Sequence, residues 1–268
     1  MITDKKPVII VKDVVKNFGK RRILNGVNLE IYSGETFVLM GGSGCGKSTL
    51  LRHMIGVHKP DIGSISIMGY NLKESTGDQL DIIKKKIGMV FQNAALFDSL
   101  TVGENVALPL REHTKLDESI INIVIKMKLE LVGLRGFEHL MPSELSGGMR
   151  KRVGIARAIV LDPDIVFYDE PTAGLDPIVA GVIDKLIMDL SKKLSITSVV
   201  VTHDMQSVFT IADRIGMLYN GELVQVGTPE EIKNSKNEIV QQFICGSPDG
   251  PIKFFKDRDK DYLEELTK

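Results

Sequence analysis

The spacing of apolar and polar positions divides the chain into strand and helix segments. Residues 8–15 are rich in β-branched side chains and read as a strand. A charged turn, Gly19-Lys20-Arg21-Arg22, leads to a second strand near residues 27–32, which leaves Phe18 on the loop between them. Thr36-Phe37-Val38-Leu39-Met40 is an apolar run, as expected of a strand covered on both faces. Leu50-Leu51-Arg52-His53-Met54-Ile55 then reads as the start of a helix. After a turn at Lys59-Pro60-Asp61-Ile62-Gly63, residues 64–68 alternate as a half-buried strand does. The run Lys84-Lys85-Lys86 fits a solvated helix end. Residues 87–91 form another short buried strand, which ends at Gln92.

Beyond Gln92 the texture becomes helical. Thr101-Val102-Gly103-Glu104 has capping-box spacing. Asp117 can cap a second helix running to about residue 132. Ser146 can cap a third running to about residue 161, where Asp162-Pro163 stops it. Residues 93–160 therefore interrupt the strand–helix alternation and read as an inserted helical subdomain. Residues 1–92 and 161–245 form the remaining core. Ile165-Val166-Phe167-Tyr168 resumes the sheet, Asp176-Pro177 opens a long amphipathic helix, and residues 196–201 form another buried strand before Asp204 caps the next helix. Asn220-Gly221 joins two apolar runs as a hairpin, and Thr228-Pro229-Glu230-Glu231 opens a last helix. The tail, 246–268, begins with Gly246-Ser247-Pro248, which breaks that helix. Its Ile252, Phe254, Phe255, Tyr262 and Leu263 fit either a frayed terminus or a segment that docks onto a sister subunit.

Composition narrows the classes. A chain of 268 residues suffices for one large α/β domain or a domain with a subdomain. Lys plus Arg number 34 and Asp plus Glu 35, a balance that argues against nucleic acid as a partner. Two cysteines without metal-like pairing exclude a disulfide framework and fit a reducing compartment. The N-terminus lacks the apolar core of a secretory signal, and no stretch approaches the ~18–20 apolar residues of a membrane span. Any membrane part is therefore expected from another subunit.

The chemistry is concentrated in three short stretches. Gly41-Gly42-Ser43-Gly44-Cys45-Gly46-Lys47-Ser48-Thr49 lies between a strand and a helix, the setting of a phosphate-binding loop. Glycines let backbone N–H groups wrap phosphate oxygens, and the helix N-terminus adds unpaired donors and partial positive charge. Lys47 is placed to reach the β- and γ-phosphates of ATP, and Ser48 to offer its hydroxyl to Mg²⁺. Asp169 and Glu170 follow four apolar residues at a strand end. Asp169 is expected to help hold Mg²⁺, and Glu170 to orient the attacking water or accept its proton. Leu145-Ser146-Gly147-Gly148-Met149 repeats the same physics as a second anion site.

In their chain order (phosphate loop, Ser-Gly-Gly, then Asp-Glu), the three stretches closely resemble those of the ATP-binding-cassette (ABC) ATPases, and the resemblance spans residues 8–243. It implies an α/β fold: a P-loop NTPase cassette with a mixed-sheet core, an antiparallel β subdomain and an inserted α-helical subdomain. It also implies that Ser146, Gly147 and Gly148 contact a γ-phosphate held by the opposite subunit, so that two copies pack head to tail. Phe18 then stands where an aromatic stacks on adenine. Gln92 looks toward Mg²⁺ and water, Asp176 in Ala173-Gly174-Leu175-Asp176 runs along the dimer contact, and His203 holds the γ-phosphate. The nucleotide-binding set becomes Phe18, Gly41, Ser43, Gly44, Cys45, Gly46, Lys47, Ser48, Thr49, Ser146, Gly147, Gly148 and Asp176. The catalytic set is Lys47, Gln92, Glu170 and His203, and the Mg²⁺ set Ser48, Gln92 and Asp169. Met149 and Gly174 depart from the commonest family residues without removing a reactive group. Cys45, inside the loop, suggests sensitivity to thiol reagents.

More narrowly, Gly41-Gly42-Ser43-Gly44, Arg52-His53-Met54-Ile55-Gly56, Ser146-Gly147-Gly148-Met149, Asp176-Pro177-Ile178 and Asp249-Gly250-Pro251-Ile252 resemble the Mla-type ATPases. Those power phospholipid traffic with mammalian-cell-entry (MCE) lipid-binding proteins. The implied partners are a second copy, an integral membrane permease, an MCE protein and a small accessory subunit. The implied location is peripheral, on the cytoplasmic face of the inner membrane, with residues 97–102 and their neighbours receiving the permease. The competing readings are an ABC subunit for another cargo, a soluble ABC ATPase of the translation or repair type, and a non-catalytic scaffold.

Overall fold

The structure, a computed structural model, describes residues 6–253. Two sheets carry the architecture. The strands β1 (Pro7–Phe18), β2 (Arg21–Tyr32), β4 (Ile62–Ile67) and β5 (Tyr70–Asn71) form an antiparallel sheet in the order β2-β1-β4-β5. The second sheet has the order β10-β9-β3-β8-β7-β6. It comprises β3 (Thr36–Met40), β6 (Ile87–Val90), β7 (Ile165–Asp169), β8 (Thr197–Val201), β9 (Arg214–Tyr219) and β10 (Glu222–Gly227). All neighbours in it are parallel except the β9–β10 hairpin.

β3 lies between β8 and β9 and is buried along its whole length, which is why its sequence is continuously apolar. Successive side chains point to opposite faces. Val38, Met40, Val166, Tyr168 and Val200 enter one core, whereas Phe37, Leu39, Phe167, Val199 and Val201 enter the other. The second core lies against the antiparallel sheet and α1 (Lys47–Met54). The first lies against α6 (Pro177–Leu194) and the helices between β6 and β7, namely α3 (Val102–His113), α4 (Glu118–Leu131) and α5 (Gly147–Ala158). The helical insert thus shares one apolar cluster with the sheet. α2 (Gly77–Lys85) ends in its exposed lysines, as the sequence suggests.

Several boundaries differ from expectation. β1 continues through Phe18 and β2 begins at Arg21, so Phe18 is the last residue of a strand, not part of a loop. β6 stops at Val90, and Gln92 sits in the turn beyond it. α5 ends at Ala158, three residues short of the predicted stop. The predicted last helix is two: α8 (Pro229–Lys233), opened by the Thr228 capping box, and α9 (Glu238–Cys245), whose cap is Asn237. Between Asp204 and β9 runs α7 (Met205–Ile211). Gly246 ends α9 with φ 63°, and the chain then folds back: the Gln242 amide exchanges hydrogen bonds with the main chain of Ile252. Phe254, Phe255, Tyr262 and Leu263 lie outside the described residues.

Candidate functional site

Parallel strands deliver their C-terminal ends to one edge, which is where open α/β sheets bind ligands. Register puts Leu39 and Asp169 both beside Val201, so β3, β8 and β7 end level. The Glu170 N–H donates to the Val201 carbonyl at 2.8 Å, and Thr202 N–H to that of Leu39 at 3.3 Å. Three loops therefore leave one edge side by side: 41–46 from β3, Glu170 from β7, His203 from β8.

The loop after β3 is built for close backbone approach. Gly41 has φ 151°, and a Cβ there would meet the Leu218 carbonyl oxygen at 2.2 Å. Gly46, at φ 111°, is the N-cap of α1 and has no side chain to cap it. The first-turn N–H groups of α1 consequently stay free for a ligand. Lys47 is 7% exposed, and its ammonium donates to the carbonyls of Gly41 at 2.7 Å and Gly42 at 3.0 Å. A cavity of about 270 Å³ opens over Gly44, Gly46, Lys47, Ser48 and Thr49, with Arg21 and Ile23 on its other wall. Phe18 is not in that wall. Its ring is half exposed, edge-on to His58 with centroids 5.8 Å apart.

Ser48 Oγ donates to Asp169 Oδ1 at 3.2 Å. Burial pushes the Asp169 carboxyl above its ordinary range; the Ser48 hydrogen bond opposes this. The donor set, a hydroxyl and a carboxylate beside a phosphate cradle, is hard oxygen chemistry suited to Mg²⁺, which takes few protein ligands and completes its shell with phosphate and water. Glu170 adopts φ 49° and its Oε1 lies 2.8 Å from His203 Nδ1. The sequence placed these two residues separately; the fold makes them a pair. Gln92 is exposed, and its main-chain carbonyl accepts from Lys151. Burial pushes the Cys45 thiol up despite the nearby Lys47 cation, so it is a poor nucleophile at neutral pH.

Ser146, Gly147 and Gly148 open α5 elsewhere. Ser146 Oγ accepts from Met149 N–H at 3.3 Å, and Gly147 lines a different cavity of about 360 Å³ with Arg150, Ala173, Gly174 and Leu175. Asp176 uses its carboxylate to cap α6, accepting from Ile178 N–H at 3.0 Å and Val179 N–H at 3.1 Å. Sequence reading missed Lys151. The available signal was a lysine on the buried stripe of α5, in line with Gly148 and Ile155.

A glycine cradle with an inward lysine at the edge of a parallel sheet, facing a Ser–Asp pair, defines a phosphate-loop nucleotide-binding protein. The chain belongs to the ABC transporter family, whose model matches residues 24–173, and it is an ATPase subunit of that family. It is 43% identical to the intermembrane phospholipid transport system ATP-binding protein MlaF of Haemophilus influenzae, over 97% of this chain and 98% of that protein. It is 44% identical to the probable ribonucleotide transport ATP-binding protein mkl of Mycobacterium leprae, over 96% of this chain and 74% of that protein. A dimeric ATP-binding cassette solved after hydrolysis, bound to ADP and Pi, superposes with TM-score 0.75 at 34% identity over 82% of this chain and 98% of that one.

Proposed function

We propose that two copies of this chain close on ATP and drive a separate membrane permease that moves phospholipid. The observation that carries this reading is the division of the anion-binding groups between two clefts: Lys47 and Ser48 line one, Gly147 the other. A second copy supplies what each cleft lacks. Lys47 and the free N–H groups of α1 hold the phosphates. Ser48 and Asp169 would hold Mg²⁺, which would supply positive charge to offset that of the phosphates. Glu170 orients the attacking water and takes its proton, and His203, fixed by Glu170, holds the γ-phosphate. Phe18 offers its exposed face to adenine. Gln92 reports the state of the site to the helical insert, residues 93–160, which swings as a unit.

No helix among the described residues is long and apolar enough to cross a membrane. A surface groove of about 390 Å³ lined by Phe91, Phe97, Leu108, Pro109 and Leu161 suits an apolar helix of the permease. The groove supports a peripheral position, which we assign to the cytoplasmic face of the inner membrane. Phospholipid is favoured as cargo because the match to MlaF spans 97% of this chain and 98% of that protein; an MCE-type protein and a small accessory subunit then complete the complex.

Glu170→Gln tests the chemistry. Steady-state turnover should fall by about 10²–10⁴ while ATP is retained and the dimer is trapped in gel filtration. Robust hydrolysis by that variant would remove Glu170 from the role. Mass spectrometry of small molecules bound to the complex purified in detergent tests the cargo: absence of phospholipid would reject it.

A further inference from the structure

Two cations of α5, Lys151 and Arg157, donate to main-chain carbonyls of the turn beyond β6. Arg157 donates to Ala94 O at 2.6 Å and to Ala95 O at 2.8 Å. Lys151, 6% exposed, donates to Gln92 O and to Glu170 O, the latter at 3.3 Å. The three carbonyls from Gln92, Ala94 and Ala95 belong to the turn just beyond β6, where Ala94 and Ala95 have φ 58° and 47°. Backbone in that region is disfavoured for residues with a Cβ and persists only when its surroundings hold it. Gly154 of α5 packs on the same turn: a Cβ there would lie 3.2 Å from Ala94 Cβ.

Lys151 alone reaches further. Glu170 also has a left-handed backbone, pinned on one side by the bond from its N–H to Val201 O and on the other by the ammonium on its carbonyl. No described carboxylate forms an ion pair with Lys151; the Glu170 carboxylate acts on its charge through space. A buried cation without a carboxylate partner is costly, and a packing role needs only an apolar side chain. An ammonium, with three rotatable donors on a flexible stem, can serve two carbonyls that arrive from different segments.

We propose that Lys151 is a positioning residue, which ties the helix behind the Ser146 turn to the peptides of both Gln92 and Glu170. Rigid coupling follows: a shift of α5 when a partner's nucleotide reaches Ser146 is passed to the water-activating carboxylate and to the glutamine turn together. The proposal rests on the assignment of Glu170 as the base.

The test is steady-state ATP hydrolysis by the full chain and its Lys151→Met, Lys151→Arg, Arg157→Met and Glu170→Gln variants, with thermal melting of each. Lys151→Met should lower kcat by about tenfold to a hundredfold, the scale of a misplaced catalytic group, with KM for ATP within about twofold. Lys151→Arg should keep kcat within about threefold of the parent. Arg157→Met frees the turn but not Glu170, so its kcat should fall less than that of Lys151→Met. The proposal is overturned if Lys151→Met keeps the parent kcat, if KM rises in step with the loss, if arginine is no better than methionine, or if Arg157→Met is the worse variant. Should Lys151→Met not fold, Lys151→Gln is judged by the same criteria. An active Glu170→Gln would strike the base assignment; an inactive Glu170→Gln beside an active Lys151→Met would strike only the coupling.

Discussion

The N-termini of α1 and α5 both have glycine at or beside the cap, and they are not equivalent. α1 starts at Gly46, which has no side chain to cap it, so its first-turn donors are free and Lys47 sits buried beside them. α5 starts at Ser146, whose oxygen already accepts from Met149 N–H. Having accepted there, the Ser146 hydroxyl still has its own proton to donate. The first terminus is a nearly complete phosphate site; the second has its Met149 N–H already taken by the cap and offers the Ser146 hydroxyl with the N–H groups of Gly147 and Gly148, without a lysine bound beside them as Lys47 is at the first. That asymmetry is the physical reason for reading the protein as one half of a shared site.

The sharpest way to break the comparison is to disable each terminus in a different copy. Lys47→Ala and Ser146→Arg should each abolish turnover alone. Mixed, they form dimers with one intact composite site, so activity should recover to roughly a quarter of the parent when subunits exchange freely. No recovery in the mixture, with mixed dimers shown by tag pull-down, would mean that each copy completes its own site.

A second contrast concerns the glycines. A Cβ on Gly41 meets a main-chain oxygen at 2.2 Å, whereas one on Gly148 meets only Val179 Cγ1, at 2.6 Å. Gly148→Ala should therefore be restored by adding Val179→Ala, while Gly41→Ala, with its left-handed strain, should cost about 1–3 kcal/mol or more with no single-site rescue. Denaturant titration of the single and double variants checks this; additivity of the Gly148 and Val179 changes would contradict it.

The smallest effect is on stability. Asp169 has a folded-state pKa raised chiefly by burial. Its ionised form therefore costs stability, a cost fully present above the folded pKa and relieved as pH falls toward the unfolded value. Without nucleotide, Asp169→Asn should melt at a higher temperature than the parent at neutral pH, with the gap narrowing on acidification. A gap that stays constant with pH would refute the burial argument.

Local features were legible in the chain. The loop 41–49, the capping boxes at Thr101 and Thr228, the Asp176 cap and the Asn220-Gly221 hairpin depend on neighbours a few residues apart. Apolar runs marked β3 and β7 as central strands because both faces are covered. Boundaries were harder: the polar residues Lys16 and Asn17 hide that β1 runs on to Phe18, and the turn residues Asn234, Ser235 and Asn237, which split α8 from α9, went unread. Bonds across the fold were out of reach: His203 to Glu170 spans 33 residues, Lys151 to Gln92 spans 59. Periodicity and motif spacing thus determined which residues could cradle a phosphate. Strand order and register, which depend on burial of the whole sheet, decided that Asp169, Glu170 and His203 face that cradle while Ser146 opens a different cleft.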